Sequence, residues 1–152
     1  MTGQEAGQDG GTATVRTGGC LCGGVRYALD AEPEPISICH CGQCRRQHSH
    51  VGAYTGLPRA ALRILSQDTL TWYVSSSHAR RGFCGRCGAG LFWEALDQAA
   101  GGEPRITVTA GSLDDPDGLR VDRHIFVDRK ASYYDIGGDG VERRTSTGEI
   151  SG

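Results

Sequence analysis

Long apolar runs are missing from this 152-residue chain: none approaches the ~18 residues that cross a bilayer as a helix, which excludes a transmembrane helix. Met1 to Thr17 has neither a basic start nor an apolar segment, so the expectation is no signal peptide, no anchor and a cytoplasmic location. Lysine is almost absent. Lys130 stands beside 15 arginines and 18 acidic residues, a formal charge of -2 with no basic tail to neutralise a nucleic-acid backbone, so no nucleic-acid partner is expected. Long helical periodicity is missing too, and no internal repeat of fixed period is present.

What is present is glycine and short β-type runs. With 24 Gly and 5 Pro, and with apolar and charged fractions of 38% and 22%, the composition is that of a soluble, turn-rich, mainly β domain. The first 13 residues are small and polar with almost nothing to bury, and are read as a disordered tail. The domain is expected over residues 14–136, with 137–152 as a frayed C-terminal extension. Strands are expected at Val25 to Leu29, Ile36 to Ile38, Val51 to Leu57, Leu62 to Leu65, Thr69 to Ser75, Arg81 to Phe83, Gly90 to Glu94, Ile106 to Ala110 and His124 to Val127. Two short helical turns are expected, at Gln43 to His48 and Pro58 to Ala61.

Seven cysteines decide the class. An odd number cannot all pair as internal disulfides, and they fall into three clusters: Cys20-Leu21-Cys22, Cys39-His40-Cys41-Gly42-Gln43-Cys44 and Cys84-Gly85-Arg86-Cys87. Two cysteines separated by two residues reach one tetrahedral zinc from a tight turn, and Gly23, Gly42, Gly85 and Gly88 stand beside the ligands where such turns are needed. Ligand counting divides seven as four plus three. Cys84 and Cys87 need a distant pair, and Cys20 with Cys22 is the pair left, giving a closed structural zinc. Cys39, Cys41 and Cys44 leave a fourth position open, the mark of a catalytic or ligand-exchanging zinc, unless His40, His48 or His50 closes it. His40 is the weakest candidate, because adjacent residues point apart when extended. Two Zn2+ per chain are therefore expected, and seven thiolates with two zinc ions take the formal charge to about -5. Arg45 and Arg46 follow the third ligand directly and are candidates to clamp the anionic end of a substrate. Arg80, Arg81 and Arg86 flank the other knuckle.

These residues resemble the glutathione-dependent formaldehyde-activating enzyme family, which also includes centromere protein V. The resemblance runs from about Gly18 to Ile136. It rests on Gly18 to Gly23, Cys39 to Arg46, Arg81 to Gly88, Ala110 to Asp115 and His124 to Val127. It implies a tent-like arrangement of antiparallel sheets, a structural zinc on Cys20, Cys22, Cys84 and Cys87, and a second zinc on Cys39, Cys41 and Cys44. It also implies condensation of glutathione with formaldehyde, a carbon-sulfur lyase reaction. In this reading zinc at the second cluster accepts a thiolate from a low-molecular-weight thiol, and formaldehyde or a related small aldehyde adds to the sulfur. His40, His48, His50 or His124 would shuttle the proton. Trp72, Phe92, Trp93 and Phe126 are expected in the core, and Tyr54, Tyr133 and Tyr134 are possible pocket residues. The rival reading is a non-enzymatic, zinc-stabilised binding module, whose second site would be inert.

Overall fold

A computed structural model describes residues 14–97 and 102–146. The expected tail at 1–13, residues 98–101 and residues 147–152 lie outside the described part. Strand β1 (Arg16–Gly19) pairs antiparallel with β2 (Val25–Leu29), and β2 pairs with β5 (Leu62–Gln67), forming a three-stranded sheet. The remaining strands are β3 (Ile36–Cys39), β4 (Gly52–Pro58), β6 (Leu70–Val74), β7 (Ala79–Cys84), β8 (Gly90–Ala95), β9 (Arg105–Thr109), β10 (Val121–Ile125) and β11 (Glu142–Arg143). They form an eight-stranded sheet in the order β11-β10-β3-β4-β9-β8-β7-β6. This sheet is mixed: β10 runs parallel to both β3 and β11, and every other pairing is antiparallel. The helix α1 (Gly42–His48) and a 3-10 turn at Arg59–Ala61 occupy the two places where helical turns were expected.

The two sheets lean on one core. Val25, Tyr27 and Leu29 alternate inward along β2, as a half-buried strand requires, and meet Leu57 of β4, Leu91 and Phe92 of β8, and Ile106 and Val108 of β9. Phe92 joins the layers, packing edge-on to Tyr27 at 5.4 Å between ring centroids and stacking on Trp72 at 5.9 Å. The Tyr27 hydroxyl bonds Ser112 at 2.6 Å, and burial pushes its pKa up to about 12.

Two elements are absent from the strand pattern of the sequence. β1 (RTGG) has a single β-former, Thr17, beside two glycines, and is held by its partner β2. β11 lies inside the segment read as frayed. Its described part, 137–146, is anchored: Arg144 N–H donates to the His124 carbonyl at 2.8 Å, and Asp139 lies 2.9 Å from the His124 ring. No helix among the described residues is long and apolar enough to cross a membrane.

The small sheet is also tied down by polar contacts. Arg26 grips Asp114 with both nitrogens, one at 3.0 Å, and the Thr17 hydroxyl donates to Asp114 at 2.6 Å. The Arg26 guanidinium, then the Thr17 hydroxyl, hold the Asp114 carboxyl down at about 2. A carboxyl depressed in the folded state contributes stability above its unfolded pKa of about 3.9 and loses it as pH falls toward about 2. The pair is more than a third exposed, so the contribution is about 0.2–1 kcal/mol. In the zinc-loaded protein at pH 7, Asp114→Asn and Arg26→Gln should therefore each lower the urea midpoint slightly, and the double variant should lose no more than either alone. Additive losses would assign the effect to something other than this ion pair.

Candidate metal centres and active site

The first cysteine cluster joins the two sheets. Cys20 follows β1, Cys22 lies in the β1–β2 turn, Cys84 ends β7 and Cys87 sits in the turn to β8. Their four sulfurs lie within 4.8 Å of one another, although 62 residues separate Cys22 from Cys84. Backbone N–H groups point at the sulfurs: Val25 to Cys20 at 3.2 Å, and Arg86 and Cys87 to Cys84 at 3.4 and 3.3 Å. Gly23 and Gly88 take φ of +86° and +83°, values a side chain disfavours, and so close the two knuckles. Gly42 and Gly85 do not need positive φ. The Thr69 hydroxyl, 3.0 Å from Cys84 Sγ, and then the amides hold that thiol down at about 5. Arg86 Nε, 3.2 Å from Cys22 Sγ, lowers Cys22. Four converging sulfurs, with hydrogen-bond donors aimed at Cys20, Cys22 and Cys84, fit a tetrahedral zinc.

The second cluster sits where β3 gives way to α1. Cys39 is the last residue of the strand, Cys41 caps the helix, and Cys44 is buried in its first turn; the three sulfurs lie within 4.8 Å of one another. Gly52 makes room for them: a Cβ there would stand 2.7 Å from the Tyr54 ring and 3.3 Å from Cys44 Sγ. Sulfurs this close titrate together. Hydrogen bonds from Cys39 and then Cys44 push Cys41 down to about 2, and the same contacts push Cys39 up. Among the described residues no His, Asp or Glu completes the set. The candidate histidines are engaged elsewhere: His40 with Tyr134 at 2.6 Å and His124 at 2.9 Å, His50 with Tyr133 at 2.6 Å, and His48 with Tyr54. Both clusters can hold a metal ion, and the second has three protein donors.

A cavity of about 380 Å3 opens on this second cluster. Cys39, Cys41 and Cys44 line it, as do Gln43, Tyr54 and Arg81, with Trp93, Ile125 and Phe126 among its apolar walls. Trp93 and Phe126, expected in the core, are thus cavity residues, whereas Phe92 is core as expected. Phe126 reaches its place through a left-handed backbone at φ +56° directly after β10. Tyr54 lines the cavity; Tyr133 and Tyr134 stack on each other and on His50 instead.

Arg45 and Arg46 are not among the lining residues. They lie on α1, where successive side chains turn by about 100°, so the positions after buried Cys44 swing away from its face. The arginines that line the cavity are Arg81 and Arg123. Arg80 pairs with Glu94 at 3.0 Å and lies over the Trp72 ring, and Arg86 serves the first cluster. Arg81 belongs to β7 beside the first cluster in sequence, yet donates to Gln43 Oε1 and to the Tyr54 hydroxyl, both at 3.1 Å. No local signal places it there. It arrives because the order β3-β4-β9-β8-β7 brings β7 across the sheet to the cavity.

The order and spacing of these clusters match a known family model, described as glutathione-dependent formaldehyde-activating enzyme, over residues 15–129. The chain belongs to that family. An uncharacterized lyase of Schizosaccharomyces pombe is 26% identical over 120 residues, covering 78% of this chain and 83% of that protein. A crystal structure of a Rhodobacter sphaeroides protein matches with a TM-score of 0.49 at 24% identity, covering 64% of this chain and 87% of the other. Family membership and the lyase relative support a formaldehyde-activating or lyase-type function for this formaldehyde-activating-enzyme family member.

Proposed function

We propose that this protein is a zinc-dependent carbon-sulfur lyase-type enzyme that joins a low-molecular-weight thiol such as glutathione to formaldehyde or a related small aldehyde. The observation that carries the reading is the three-cysteine cluster opening on a cavity, in a chain whose other four cysteines already make a complete set. Cys20, Cys22, Cys84 and Cys87 would hold a structural zinc, and Cys39, Cys41 and Cys44 a second. A zinc ion at the second cluster supplies a coordination position for a soft sulfur donor and lowers a thiol pKa toward neutrality.

The protein's own residues then have defined tasks. In the overall reaction the thiol sulfur bonds to the aldehyde carbon, the C=O π pair moves to oxygen, and the thiol proton ends on the new hydroxyl. Tyr54 lines the cavity, and its hydroxyl is hydrogen-bonded to His48 Nε2 and to Arg81. Burial, then the nearby Arg81 charge, lowers the His48 pKa, which favours the neutral ring that can accept a hydrogen bond from the Tyr54 hydroxyl. Of the four histidines considered, His48 is the one whose hydrogen-bond partner lines the cavity. The apolar walls keep bulk water from the reacting atoms.

With protein and glutathione together, formaldehyde should disappear faster than the spontaneous thiol reaction allows. Cys44→Ala should abolish the increment while metal analysis still finds the first site filled. A rate equal to that of thiol alone, for glutathione and other small thiols, would sink the enzymatic reading and leave the binding module.

A further inference from the structure

Arginine is almost never fully buried without a partner charge, because its guanidinium stays protonated and loses its hydration. Arg81 is 5% exposed, and among the described residues no carboxylate lies within ion-pair distance of it. Its two hydrogen bonds go to neutral acceptors, Tyr54 and Gln43, which fix the guanidinium and leave N–H groups over. The other arginine and carboxylate charges on the cavity wall are paired: Arg123 with Asp122 at 2.8 and 3.0 Å, Glu34 with Arg105. The cavity therefore carries one buried cation whose counter-anion is no carboxylate of the described residues.

The cysteine cluster is the first candidate for that anion, and the other cluster shows what such service looks like. There Arg86 donates directly to Cys22 Sγ at 3.2 Å; Arg81 makes no such bond to a sulfur. We propose that Arg81 is the specificity-determining residue of the cavity and receives the carboxylate of the thiol substrate, so that the site selects acidic thiols over neutral ones. The inference rests on the thiol reading above. It moves the anion clamp from Arg45 and Arg46, which do not line the cavity, to a buried arginine that does.

A matched pair of probes tests it, mercaptoacetate and 2-mercaptoethanol, which differ in carboxylate against hydroxymethyl. Titrated calorimetrically into the zinc-loaded protein, mercaptoacetate should bind about ten- to a hundredfold more tightly. Arg81→Gln should erase the preference and Arg81→Lys should reduce it, with 2-mercaptoethanol affinity and metal content unchanged. Arg45→Lys and Arg46→Lys should leave it intact. If Arg81→Gln does not fold, Arg81→Lys decides. Three results would overturn the proposal: no preference in wild type, a preference that survives both Arg81 variants, or equal losses for both thiols, which would assign the guanidinium to the cysteine cluster. If neither thiol binds wild type, the thiol reading itself fails. Propionate then decides the anion site, upheld by Arg81-dependent binding and overturned by none.

Discussion

Cys84→Ser should yield a chain that fails to fold, whereas Cys41→Ser should fold and lose a single metal ion. The asymmetry follows from what each cluster connects. Cys20 and Cys22 belong to the hairpin of the three-stranded sheet, Cys84 and Cys87 to the β7–β8 turn of the eight-stranded sheet, so one ion held there would cross-link segments more than 60 residues apart. Structural zinc contributes on the order of 10 kcal/mol in small zinc domains, comparable to the whole stability of a domain. Cys84 is itself a fully buried member of the core cluster, so a serine there would both remove a ligand and bring a polar group into the core. Cys39, Cys41 and Cys44 lie within a six-residue span at one strand-helix junction that β3 and β4 already hold in place. Far-ultraviolet circular dichroism and zinc content of the two purified variants check this; equal damage from both would refute the division of labour.

Phe92→Ala should cost about 3–5 kcal/mol, a large share of the ~5–15 kcal/mol available to a domain. Phe92 is 1% exposed, lies between Tyr27 of the small sheet and Trp72 of the large one, and packs tightly over Gly82, where a Cβ would come within 2.9 Å of its ring. Truncation removes the ring that both sheets share and leaves a cavity the strands cannot close. Urea unfolding of the zinc-loaded protein should show a clearly lower midpoint at similar slope. Leu65→Ala on the exposed face of β5 should stay within about 0.5 kcal/mol of wild type. A loss below about 1 kcal/mol at Phe92 would mean that the two layers are held by the cysteine cluster and not by this core.

Family, fold class and the four-plus-three grouping of cysteines were all legible along the chain. Each knuckle brings its ligands together within a few residues, and turn glycines and short alternating runs are local signals. That is why eight of the eleven strands among the described residues, and both helical turns, coincide in place with the sequence reading, while β10 begins three residues before the expected strand and ends at Ile125, where Phe126 turns left-handed. β1 and β11 escaped it because neither carries a strong propensity of its own; each exists through its partner, β2 for one and β10 for the other. The histidines show the same limit. His40 lies between two cysteines in sequence, yet its ring turns toward Tyr134 and toward His124, itself bonded to Asp139, three residues gathered from the far end of the chain.

The sequence by itself determined which atoms can bind metal, because sulfur ligands at short spacing are a local property. Only the tertiary structure decided which charge faces the cavity. Arg45 and Arg46 are adjacent to a ligand but sit on a helix whose rotation carries them away, while Arg81, 37 positions from Cys44, is delivered across the sheet by strand order and fixed by Tyr54 and Gln43. Proximity along a chain sets the spacing of ligands. The direction of a side chain depends on the element that carries it and on the partners that element meets.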